Sequence, residues 1–204
     1  MKEITTMSPT FCKIIQLNCS LVVSLLMLNG WGVSVKTAIA GTMEPAQRIA
    51  DVAAIPATIK VPNGEQLLLK ASAKGSQIYI CKPKSESPEQ YEWTLKAPDA
   101  VLLDEQGQDL GKHYAGPTWE AKDGSKVLGK LKSKVNAPED DAIPWLLLEA
   151  QSHEGNGLFH QVNWVQRINT VGGKAPVQGC DKSSENRETS VNYTADYLFY
   201  KIKQ

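Results

Sequence analysis

The sequence carries no excess of charge of either sign, since 22 lysine and arginine residues balance 22 aspartate and glutamate residues over 204 positions. Nucleic acids and anionic membrane surfaces are bound through basic patches, so neither is an expected partner. Histidine is scarce as well: the three residues follow neither the HxxxH nor the HExxH spacing of zinc sites. We therefore expect no bound metal.

Motifs for cofactors and nucleophiles are also absent. No GxGxxG follows a strand and no alternating βαβ pattern exists, which excludes a dinucleotide-binding fold. No nucleophile elbow is present, and the cysteines form no CxxC redox pair. The sequence thus predicts no cofactor and gives an enzymatic function no support from motifs.

A long apolar run is missing too. The stretch from Leu17 to Leu28 has about a dozen residues, short of the roughly 20 that a membrane-spanning helix needs. Lys13 precedes it, and Ala38-Ile39-Ala40 forms a small-x-small cleavage signal before Gly41. We interpret residues 1–40 as a cleaved signal peptide rather than an anchor. The protein is then secreted or periplasmic, with no membrane span after cleavage.

Cysteine is limited to four residues, and Cys12 and Cys19 would leave with the signal peptide. In an oxidising compartment the natural prediction for the remaining two, Cys81 and Cys180, is one disulfide bond. Two separate buried thiols are the alternative.

Short β-type segments dominate the rest of the chain. Residues 41–61 show no clear periodicity, whereas residues 62–204 contain about nine or ten strand-like runs and no long amphipathic helix. Lys74-Gly75 is interpreted as the turn of one hairpin. The fold class is therefore all-β, a mostly antiparallel β-sandwich or partly closed barrel in a single domain.

A second predicted hairpin joins Ile143–Ala150 to Leu158–Asn169 through a Gly-rich turn at 154–157. Along Leu158–Asn169 the side chains alternate, as a strand with one buried face requires. The side that includes His160 and Ile168 is mostly apolar and is expected to face the core. The side that includes Val165 and Arg167 is mostly polar and is expected to face solvent.

Several blocks of this sequence stand together in a specific order: KASAKGSQIYIC, WTLKAPDAVLLDEQG, GKHYAGPTWEAKDGSKVLGK, IPWLLLEAQSHEGNG, and QRINTVGGKAPVQGCD with YTADYLFY. They resemble the secreted bacterial and fungal family known as domain of unknown function 3455, from about Pro62 to Tyr200. The resemblance implies an exported single domain. It brings no activity, ligand or catalytic residue.

The first candidate site surrounds the bend at Gly116-Pro117. If the bend brings His113 and Glu120 together, they form an acid–base pair suited to neutral pH. The rings of Tyr114 and Trp119 could stack on an apolar ligand or a sugar. The alternative is a packed corner with Trp119 in the core.

The second and third candidates lie around the 143–169 hairpin. The second candidate is His153 at the tip of this hairpin. The alternative is that the tip only forms the turn and has no further function. Arg167 and Asn169 lie on the predicted polar side, where a guanidinium can bind a carboxylate or phosphate through two hydrogen bonds. For Arg167 an ion pair with Glu120 or Glu149 is the alternative.

Three functional hypotheses follow. The leading one is a non-enzymatic exported β-domain that binds a small molecule or carbohydrate, or serves in the envelope. The second is a hydrolase or lyase that uses His113 and Glu120 with Arg167 as an anion clamp. The third is a purely structural or stress protein. The oligomeric state is left open.

Overall fold

The structure, a computed structural model, describes residues 55–204. The predicted signal peptide and most of the predicted irregular segment lie outside these residues. Within residues 55–204 there are two short 3-10 helices, Ala57–Ile59 and Lys182–Ser184. The strands are β1 (Glu65–Pro83), β2 (Tyr91–Leu103), β3 (Asp109–Tyr114), β4 (Thr118–Ala121), β5 (Lys126–Val135), β6 (Trp145–Glu154), β7 (Trp164–Gly172) and β8 (Glu188–Ile202). Among residues 55–204 no helix has the length and apolar character that a membrane crossing requires.

The eight strands form one antiparallel sheet in chain order, and β8 returns to pair with β1, so that the sheet closes into a barrel. The predicted all-β, antiparallel, single-domain class is confirmed, and every strand is paired with a neighbour on each side over part of its length. β1 pairs with β2 along one edge and with β8 along the other, and the second pairing closes the ring. Ser72, for example, lies opposite both Leu103 and Asp196.

The predicted hairpin turn at Lys74-Gly75 is wrong. Gly75 lies inside β1, opposite Ala100 on one side and Tyr193 on the other. A Cβ atom at this position would approach the Asp99 carbonyl oxygen to 2.1 Å. The glycine thus serves the close approach of two strands rather than a turn, and two predicted strands become one.

The barrel interior holds the main hydrophobic core. Alternate residues of each strand point inward, so small alanines from β1 and β8 share this space with large aromatic side chains. The rings of Phe159 and Phe199 lie 4.8 Å apart, and both are fully buried. The fully buried Val162 and Val165 belong to the same core. These side chains fill one part of the interior.

A second, smaller cluster lies on the outside of the barrel. Leu147, Ile168 and Leu198 are covered there by the chain at Ile55–Ile59. The amide of Gln166 donates to the carbonyl oxygen of Ile59 at 2.5 Å. The end of the predicted irregular segment is therefore packed against the sheet, and it buries an outer face of β7.

This outer cover explains an error in the prediction for Leu158–Asn169. The strand begins at Trp164, and residues 158–161 form a turn that leaves His160 exposed. Val165 and Arg167 face the interior, whereas Ile168 faces the outer cluster. Because both faces of β7 are buried, its alternation of apolar and polar residues does not reveal which face is inside.

The predicted disulfide is confirmed. Cys81, at the end of β1, is bonded to Cys180 with a Cα–Cα distance of 5.4 Å. It attaches the β7–β8 connection to the rim of the barrel. Closing this 99-residue separation is worth about 4–5 kcal/mol in the chain-entropy model.

Candidate functional site

The barrel wall has a lateral window where its shortest strands lie. β3 pairs with β2 only from Ala100 to Leu103, and β4 pairs with β5 only from Lys126 to Leu128. The rest of β2 and β5 extends beyond the β3–β4 turn with no strand between them. Pro98 lies in this part of β2, as expected for a residue that cannot donate to a second neighbour. The window is bounded by β2, β5 and the turn at residues 115–117.

A cavity of about 410 Å³ opens at this window and reaches the barrel interior. Its volume falls in the ~300–1,000 Å³ range of small-molecule sites. Apolar side chains dominate the entrance and the walls, among them Leu95, Pro98, Leu131, Leu146 and Leu148. Deeper inside lie a few polar or aromatic side chains: Gln77, His113, Trp119, Arg167 and Tyr197.

Arg167 is the charged group at the base of the cavity and is only 8% exposed. Its Nε and Nη2 atoms donate to the carbonyl oxygen of Pro144 at 3.1 and 2.8 Å. Among residues 55–204 no carboxylate lies within ion-pair distance of it; Glu149 pairs with Lys132, and Glu120 pairs with Lys112. The alternative of a structural ion pair with Glu120 or Glu149 is therefore wrong.

His113 projects from β3 into the same interior and is buried. Its ring stacks on Trp119 at 4.6 Å, and Nδ1 lies 2.9 Å from the carbonyl oxygen of Thr118. A carbonyl only accepts, so Nδ1 carries the proton. Burial, with a smaller effect of the Arg167 charge, lowers the pKa of His113 to about 3 although the Thr118 carbonyl opposes this shift. The imidazole is neutral at physiological pH.

Trp119 and Tyr197 complete the aromatic part of the wall. Trp119 is in edge contact with Tyr197 and with Phe199, and Gly129 leaves room for its indole because a Cβ there would lie 2.9 Å from the ring. Burial raises the pKa of the Tyr197 hydroxyl, while the nearby charge of Arg167 opposes that rise. The hydroxyl is therefore protonated at neutral pH.

Three buried polar atoms of this wall make no hydrogen bond of standard geometry among residues 55–204, although the Tyr193 hydroxyl lies near Gln77 and Tyr197, and Arg167 lies near Tyr197. The three atoms are Nε2 of Gln77, Nε1 of Trp119 and the hydroxyl of Tyr197. Unpaired buried groups of this kind are uncommon and costly, at about 1–3 kcal/mol each. All three are able to donate a hydrogen bond.

Glu120 does not join His113. In the β3–β4 register His113 lies opposite Trp119, and Lys112 lies opposite Glu120, so Glu120 points to the other face of the sheet. There its carboxylate accepts from the Tyr114 hydroxyl at 2.7 Å, an interaction that lowers the pKa of Glu120. The hypothesis of a His113–Glu120 acid–base pair is wrong for this geometry.

The other predicted residues lie outside the cavity. His153 is exposed on β6, where Nε2 lies 2.7 Å from the Val162 carbonyl oxygen. Asn169 is exposed with a φ of 50°, and its amide donates to Asp196 at 3.0 Å. The structure thus brings together His113, Trp119 and Arg167, and it separates Tyr114, Glu120, His153 and Asn169 from them.

Gln77 and Tyr197 are residues of the site that the sequence analysis missed. Each lies at an inward position of a long strand, next to small or apolar inward neighbours such as Ala73 and Ala195. The one sequence feature that could have pointed to Gln77 is its polar amide among small or apolar residues on the inward side of the strand. Among residues 55–204 no group of three or more histidine, cysteine, aspartate or glutamate side chains is arranged to hold a metal ion.

Comparison with known proteins identifies the family of this chain but no individual relative. No curated protein matches the chain, and no solved structure does. A family model described as "Protein of unknown function (DUF3455)" matches residues 62–201, nearly all of the barrel, and the chain belongs to this family.

Proposed function

We propose that this protein is an exported, non-enzymatic domain that binds a small, largely apolar molecule inside its barrel. The observation that carries the proposal is the cavity of about 410 Å³, apolar at its entrance and polar at its base. Such a concave site with a few convergent polar groups is the usual form of a small-molecule site.

An apolar ligand fits the walls better than a carbohydrate does. Sugars are commonly bound on exposed aromatic faces. The one tryptophan of the cavity, Trp119, is 1% exposed, and His113, Tyr197 and Phe199 already pack around it. Leu95 and Leu131, about half exposed, instead offer an apolar entrance.

Catalysis is not part of the proposal. The neutral His113 has a pKa of about 3 and no carboxylate beside it among residues 55–204, so it is a weak base at neutral pH. Export is supported by the Cys81–Cys180 disulfide, which is consistent with a periplasmic or extracellular location.

The first test is binding of N-phenyl-1-naphthylamine, a neutral apolar dye whose fluorescence rises in an apolar site. We expect the wild-type protein to bind it, and Leu131→Trp to weaken binding about tenfold or more by narrowing the window. Leu67→Trp is the matched control, because Leu67 is similarly exposed and lies outside the cavity. Absence of binding by the wild type, or equal loss in both variants, would overturn the proposal.

A further inference from the structure

The polar groups at the base of the cavity offer more hydrogen-bond donors than acceptors, although the Gln77 amide oxygen and the Tyr197 hydroxyl oxygen can also accept. Arg167 has five N–H groups and uses those of Nε and Nη2 toward Pro144, while its guanidinium also lies close to the Tyr197 hydroxyl. The unpaired amide of Gln77, indole of Trp119 and hydroxyl of Tyr197 add three more donors. Nε2 of the neutral His113 is the one acceptor nitrogen. A wall of this composition needs an acceptor from the ligand.

The charge at the base is also unbalanced. A buried guanidinium without a carboxylate is costly, because its positive charge has been removed from water without a counter-charge. The Pro144 carbonyl occupies only the Nε and Nη2 edge of the guanidinium and supplies no negative charge. A structural role for Arg167 in holding Pro144 therefore leaves the uncompensated charge unexplained.

We propose that the ligand is an organic monocarboxylate whose head group accepts from Arg167 and Tyr197 and whose apolar body extends toward Leu131 and the window. This assignment rests on the proposed function and narrows it to one chemical class. A carboxylate matches a guanidinium in both shape and charge. Its apolar body would cover the leucines that line the entrance.

A phosphate monoester is a poorer match. It carries a charge of about −1.5 to −2 at neutral pH, whereas the cavity base supplies a single positive charge. His113 adds none, since it is neutral. Lys96, at the rim, already pairs with Glu188 at 2.5 Å. The balance of charge therefore favours a monoanion.

The test compares octanoate with octanol, which differ in the head group and share the apolar chain, by displacement of the naphthylamine dye. In the wild-type protein we expect octanoate to bind about 10- to 100-fold more tightly than octanol, as a hydrogen-bonded charge predicts. Arg167→Met should reduce octanoate to the level of octanol and leave octanol unchanged. Arg187→Met, at the exposed second arginine of the described chain, is the matched control and should change neither.

Tyr197→Phe and Gln77→Leu keep the test decisive if Arg167→Met fails to fold. Each removes one unpaired donor, and Tyr197→Phe should weaken octanoate about fivefold while octanol binding is retained. Dye binding with no preference for octanoate over octanol overturns the carboxylate assignment and leaves the proposed function standing. Octyl phosphate binding as tightly as octanoate also overturns it. Failure of the dye itself to bind overturns the proposed function.

Discussion

Two parts of the same barrel interior differ in how completely they are filled. Around Phe159 and Phe199 the side chains are apolar, fully buried and in contact with one another. Around Arg167 and Tyr197 the wall is polar, several donors are unpaired and a cavity remains. The alternation of the strands is the same in both parts. The difference shows that one part of the interior stabilises the fold and that the other was left at a cost to stability.

The largest expected effect tests the filled part. Phe159→Ala should lower the free energy of unfolding by about 3–5 kcal/mol, because it removes a fully buried ring and leaves a void. Leu131→Ala, at the cavity entrance, should cost less than about 1 kcal/mol since that side chain is already half exposed. Denaturant unfolding of both variants measures the contrast. Equal costs would remove the distinction between the two parts.

The second effect is a dependence of stability on pH that originates at the cavity. The pKa of His113 is lowered from 6.5 to about 3 in the folded protein, so between these values the unfolded chain binds more protons. Stability should therefore fall by about 3 kcal/mol from about pH 7 to about pH 4 as this contribution is lost. The Tyr197 hydroxyl, which faces the ring as Arg167 does, stays neutral over this range because burial raises its pKa.

His113→Phe provides the control for that pH dependence. Phenylalanine can still stack on Trp119 but does not titrate, so the variant should lose much of the slope between about pH 7 and about pH 4. Acidic side chains with lowered pKa values, such as Asp123, contribute equally in both proteins and cancel in the difference. An unchanged slope in His113→Phe would contradict the assignment.

The smallest effect compares two buried tyrosines. The Tyr197 hydroxyl makes no hydrogen bond of standard geometry among residues 55–204, so Tyr197→Phe should leave stability unchanged or raise it by up to about 1 kcal/mol. The Tyr79 hydroxyl donates to the Gly173 carbonyl oxygen at 2.6 Å, so Tyr79→Phe should cost about 1 kcal/mol. Thermal or denaturant unfolding distinguishes them. A loss of stability in Tyr197→Phe would mean that this hydroxyl is paired after all.

Local patterns predicted the all-β class and the Cys81–Cys180 disulfide, because each depends on neighbouring residues or on a count of two. The errors concern long-range packing. Gly75 was interpreted as a turn because nothing local reveals that a strand passes within contact of it. The faces of β7 were inverted because the outer cover at Ile55–Ile59 comes from a distant part of the sequence.

The candidate site was predicted in part for the same reason. His113, Trp119 and Arg167 were identified by residue type, and all three line the cavity. Whether His113 meets Glu120 depends on the register across a three-residue turn, and a shift of one residue exchanges the two faces. Gln77 and Tyr197 come from strands far apart in the sequence, so only closure of the barrel brings them to Arg167.

The lateral window also bears on self-association. Closing a sheet normally eliminates its edges, yet β2 and β5 here keep segments whose backbone amides and carbonyls have no neighbouring strand on one side. Exposed backbone of this kind attracts the strands of other chains and so promotes aggregation. Lys96 lies along the first segment, and Lys130, Lys132 and Lys134 along the second, all of them exposed. A row of cations disfavours edge-to-edge pairing, so the barrel can stay open to a small solute while it resists polymerisation.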